Sequence, residues 1–82
     1  MELKDTIDLM NSDDYKDRFK AEYLQTKIRY DKLHKMLIKR EAGTLDFTPK
    51  CPVSTLMLQA RHMSDYLKSL EIRAEIEGIV LD

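Results

Sequence analysis

The sequence predicts an all-α protein: a long antiparallel αα-hairpin with a short N-terminal helix, assembling as a homo-oligomeric helical bundle. Three observations carry this expectation. Between Tyr15 and Ala42 the residues Phe19, Tyr23, Thr26, Tyr30, Leu33 and Leu37 recur at alternating steps of four and three, the spacing of one helical seam. A second stripe of matching length, Val53, Leu56, Ala60, Met63, Leu67, Leu70 and Ala74, repeats the pattern. Between them lies a short connection, and only 2 glycines and 2 prolines punctuate the 82 residues.

The elements follow in order. In residues 1–11, Leu3, Ile7 and Met10 stand at helical spacing, so this segment reads as a short amphipathic helix or an arm. Asn11-Ser12-Asp13-Asp14 supplies a break and an N-cap: short polar oxygens accept the first free amides, and aspartates complement the helix dipole. The long helix, 12–42, stops at Gly43, with Lys39 and Arg40 in its last turn. A loop over 43–51 contains TLDFTPKC, in which Leu45 and Phe47 are expected to fold over the open end of the hairpin as a plug. Pro52 opens the second helix, 52–77, where its missing amide costs nothing. Gly78 ends that helix, and the apolar Ile79-Val80-Leu81 of the tail, 78–82, are expected to dock. The whole chain, 1–82, reads as a single helical domain.

A chain this short rarely builds a core worth more than about 3–5 kcal/mol without staples or self-association. Staples are not evident: Cys51 is the single cysteine, and no cluster has zinc-site spacing, so no metal and no cofactor are expected. The uncharged runs fall short of a membrane span, and no signal-peptide pattern opens the chain, which fits a cytoplasmic protein. The net charge of −1 is unevenly spread: residues 1–14 hold five acids and one lysine, 15–43 nine bases and four acids, 44–82 four bases and six acids. A basic helix beside an acidic one favours their pairing and argues against a nucleic-acid binder, which exposes a net basic surface.

Both helices carry apolar residues opposite their seams. Ala21, Leu24 and Ile28 on the first, and Leu58, Ile72 and Ile76 on the second, are expected to form an oligomer interface; the N-terminal segment or the C-terminal tail is the competing cover. The two edges of the hairpin differ in chemistry. One collects Lys16, Lys20, Lys27 and His34 with Ser64, Glu71 and Glu75, where salt bridges from Lys16 and Lys20 to Glu71 and Glu75 are expected. The other collects Arg18, Glu22, Arg29 and Met36 with Gln59, Tyr66 and Arg73. Arg18, Arg29, Gln59, Tyr66 and Arg73 are the residue types that hold a planar base and its phosphate: guanidinium forks for oxygens, a ring for stacking, an amide for a base edge. The bland alternative is structural, with Glu22 bridging Arg18 and Arg73 while Tyr66 packs on Arg29. Lys32, Lys35 and Lys39 read as a solvated outer face.

Nothing in the chain suggests catalysis. His34 and His62 are far apart, Cys51 sits beside prolines without an activating motif, and neither a phosphate-binding glycine loop nor a nucleophile elbow is present.

The arrangement LKDTIDLMNSDDYKDRFKAEYLQTKIRYDKL, AGTLDFTPKCP, LQARHMSDYLKSLEIRAEIEGI resembles a family of small helical phage and prophage proteins of unknown function, the crAss-like-phage-related proteins. In size and hairpin plan the chain is also similar to phage sponges that sequester cyclic-nucleotide immune signals, the anti-CBASS and anti-Thoeris proteins, which bind ligand between protomers. Those resemblances imply a counter-defence protein in the host cytoplasm whose ligand is a cyclic nucleotide or an ADP-ribose-derived signal. The alternatives are a module that docks on a host protein, as anti-CRISPR inhibitors do, and a purely structural homo-oligomer.

Overall fold

The computed structural model describes residues 1–81, which form helices joined by turns with no strand among them. A 3₁₀ turn, Leu3–Thr6, runs into a single turn of helix, α1 (Ile7–Met10); two long helices follow, α2 (Tyr15–Ala42) and α3 (Val53–Glu77). The molecule measures 43 × 25 × 18 Å. At 1.5 Å per residue the 28 residues of α2 account for the long axis.

The ends of α2 follow from its flanking residues. Asp14, in extended conformation, accepts a hydrogen bond from the Lys16 amide at 2.9 Å and so satisfies an orphan donor of the first turn. Ser12 supports the break twice over, its hydroxyl donating to Asp17 at 2.8 Å and accepting from the Asp14 amide at 3.1 Å. At the other end Gly43 takes φ 78°, which lets the Thr44 amide reach back to the Lys39 carbonyl at 2.8 Å and the Gly43 amide to Arg40 at 3.1 Å. These two bonds form a Schellman turn. Gly78, at φ 70°, ends α3, with its own amide and that of Ile79 both on the Ala74 carbonyl, the latter at 2.9 Å.

Helices α2 and α3 pack on one another with their numbering in opposite order: Tyr15 bonds to Glu77 and Tyr23 to Glu71. The core gathers where α2 begins and α3 finishes. Phe19, Leu70, Ala74 and Ile79 form one buried cluster, with Tyr23 and Leu81 packed against it. The tail after Gly78 thus contributes Ile79 to the core. Ala60 and Leu67 are also buried, but Leu33, Leu37, Val53 and Leu56 toward the loop are only half-buried. A cleft of about 450 Å³ lies open at that end between Leu37, Ile38 and Arg40 of α2 and Val53 and Met57 of α3.

The expected plug does not fill it. Phe47 remains 55% exposed and lies with Leu45 beside Lys35, Met36 and Lys39, because the Schellman turn sends the chain back along the outer face of α2. The N-terminal segment also lies on α2. Thr6, with no exposed surface, donates its hydroxyl to the Leu3 carbonyl at 2.7 Å and accepts from the Gln25 amide group at 2.9 Å. Ala21, one turn before Gln25, has 0% exposure, and Leu24 and Ile28 are half-buried. Within the single chain Ala21, expected at an interface between copies, therefore has no exposed surface. Leu58, Ile72 and Ile76 remain exposed at 50%, 51% and 79%.

Candidate functional site

The five residues expected to hold a ligand divide into two groups by what they touch. Arg73 is built into the sealed end of the molecule. Its guanidinium lies 4.8 Å above the Phe19 ring centroid, its Nε donates to Glu77 at 3.3 Å, and its Nη2 donates to the Tyr15 hydroxyl at 2.8 Å. The Tyr15 hydroxyl in turn donates to the other Glu77 oxygen at 3.0 Å, closing a ring of three side chains. Arg18 donates from Nη1 to the Ser12 carbonyl at 2.8 Å, pinning the break before α2. Both arginines are exposed, but each has a post in the architecture.

Arg29, Gln59 and Tyr66 face outward. Arg29 is exposed with no hydrogen bond or ion pair among the described residues, and Tyr66 is 43% exposed. Gln59 and Tyr66 line one shallow groove of about 380 Å³ with Thr55, Leu58, His62 and Met63, all on α3. Gln59 makes a 3.9 Å contact from its amide to the Met63 sulfur, leaving its carbonyl oxygen outward. None of the arginines lines that groove.

The electrostatics differ from the expected pattern. Among the described residues the ion pairs are Lys4–Glu2, Lys27–Asp31 and Arg73–Glu77, so neither the Lys16 and Lys20 bridges to α3 nor Glu22 between arginines is present. Tyrosine hydroxyls take the carboxylates instead, Tyr23 donating to Glu71 at 2.7 Å and Tyr15 to Glu77. The helices are thus latched by aromatic side chains rooted in the seam, whose hydroxyl tips reach the partner's acids. Tyr30 stacks on His34 at 5.4 Å with Lys27 nearby, so the aromatic partner of a cation on this edge is Tyr30. No group of three or more metal-ligating side chains is present among the described residues, and Cys51 is a free, exposed thiol.

A feature that sequence reasoning passed over lies on the outer face of α2. Lys32, Lys35, Met36 and Lys39 line a cleft of about 350 Å³ with Thr44, Leu45, Asp46 and Phe47. The lysines were legible as a stripe at helical spacing. Their aromatic neighbour was not, because it depends on the direction in which the chain leaves Gly43.

These features define a small all-helical protein with open grooves along its helix faces. No helix is long and apolar enough to cross a membrane. The chain belongs to the Sequestin family, whose model matches residues 13–76. No curated protein and no solved structure matches it.

Proposed function

We propose that this protein is a non-catalytic phage sponge: α2 and α3 form an antiparallel hairpin, copies of it assemble, and the assembly sequesters an anionic nucleotide-derived signal and blunts a host defence. The observation that carries this reading is membership of the Sequestin family, whose name describes holding a ligand and not converting it. Arg29, Gln59 and Tyr66 supply a guanidinium for phosphate, an amide for a base edge and a ring for stacking. Arg18 and Arg73, which belong to the same expected edge, are held by Ser12 and by Tyr15 with Glu77. Small-ligand sites bury about 70–90% of the ligand surface, which an open groove on one chain does not do. A second copy laid over the edge closes the site.

The test is thermal unfolding against cyclic di- and trinucleotides and cyclic ADP-ribose isomers, since a ligand that binds only the folded state raises the melting temperature by mass action. A member of the panel is expected to stabilise the wild type. Arg29→Ala and Tyr66→Ala should abolish that shift while leaving the unliganded melting temperature in place, because neither side chain fills the core. Arg73→Ala should lower the unliganded melting temperature, as it removes the centre of the ring with Tyr15 and Glu77. A wild type indifferent to the whole panel would move the reading to a protein-binding module, which the exposure of Leu58, Ile72 and Ile76 favours.

A further inference from the structure

We infer that the cleft on the outer face of α2 is a second, separate anion site, and that it takes a nucleoside phosphate: the lysines hold the phosphate and Phe47 stacks on the base. Of the residues on the arginine edge only Met36 lines this cleft, and none of the three arginines does. Lys32, Lys35 and Lys39 are three and four residues apart on α2, so their ammonium groups project from one face. All three are exposed, and none has an ion-pair partner among the described residues. Asp31, one turn before Lys35 and positioned to answer it, is 2.9 Å from Lys27 instead. Like charges at this spacing repel along a helix, so the stripe gains from an anion that bridges it. Their placement in the last turns of α2 offsets the negative end of the helix dipole only in part, since Lys32 lies more than two turns from Gly43.

The loop supplies the rest of the wall. Because Gly43 turns the chain back, Phe47 stands beside the stripe at 55% exposure, a large apolar ring in water next to cations. An aromatic ring presents a face on which any base stacks, while lysine is a point charge suited to phosphate oxygens. Met36 and Leu45 add an apolar floor, and Asp46 offers acceptor oxygens to sugar hydroxyls while leaving the lining net positive. The Thr44 hydroxyl is turned to the Lys39 carbonyl at 3.3 Å, so the donors to phosphate are the ammonium groups. The volume, about 350 Å³, falls in the range of small-molecule sites.

The test is amide-detected NMR titration with ADP, with adenosine and inorganic pyrophosphate as separate arms. ADP should move the resonances of Lys35, Lys39, Thr44 and Phe47 in a saturable way. Lys35→Ala with Lys39→Ala should weaken ADP at least tenfold, and Phe47→Ala should weaken ADP but leave pyrophosphate unchanged. These side chains are exposed, so each variant should keep the wild-type melting temperature, checked alongside. ADP that leaves the cleft resonances still, or that binds the double lysine variant like the wild type, overturns the proposal. So does an ADP response confined to residues around Arg29 and Tyr66, which would leave the sponge reading standing alone.

Discussion

The hydroxyl of Thr6 is the most enclosed polar group of the described chain, and it shows how much a single atom can hold. It donates to Leu3 and accepts from Gln25, so it ties the 3₁₀ turn to itself and to α2 at once. Thr6→Val keeps the shape and removes the hydroxyl, leaving the Gln25 amide group without its partner; an unsatisfied polar group costs about 1–3 kcal/mol. The expected outcome is a lower melting temperature and faster amide exchange over Leu3–Met10, with Thr6→Ser close to wild type in both. None of this was legible in the sequence, where Thr6 falls between the apolar positions Leu3, Ile7 and Met10. The same limit applies to Tyr15 and Tyr23. Angular reading places each side chain on a face but ignores its length, so it assigned Glu71 to lysines when a tyrosine hydroxyl rooted in the seam reaches it first.

Helix ends were the best-signalled elements, because capping is local chemistry. Asp14, Gly43 and Gly78 each act through bonds to residues within five positions, and each stands in the sequence as a residue type with that one use. A Cβ added at either glycine would meet nothing within 4 Å, so the cost of Gly43→Ala or Gly78→Ala is conformational alone. A left-handed residue with a side chain costs about 1–2 kcal/mol, and each variant should lose that much in denaturant unfolding. Gly43→Ala should in addition perturb the resonances of Phe47, whose position depends on the turn. The loop's course was not legible. Two prolines and an apolar pair suggest a plug, but the direction taken after Gly43 is set by the amides of Gly43 and Thr44 finding Arg40 and Lys39.

At the scale of the whole molecule, the helical class and the two matched stripes could be read directly from periodicity, whereas the division of the outer faces could not. A stripe such as Ala21, Leu24 and Ile28 looks the same whether a copy or the chain's own N-terminal segment will cover it. On α3 the matching residues stay open, so Ile72→Glu should reduce self-association in sedimentation experiments, while Leu24→Glu should act chiefly by loosening the N-terminal segment. The wild type is expected above 9.7 kDa at micromolar concentration; a fully folded species of that mass would overturn the assembly. The distribution of packing has a mechanical corollary. The first and last residues of a domain are poorly ordered unless something ties them down. Here the ends are riveted by Phe19, Leu70, Ala74 and Ile79, while the turn sits over an open cleft. The two long helices are thus packed most closely where α2 begins and α3 finishes, and least closely beside the loop.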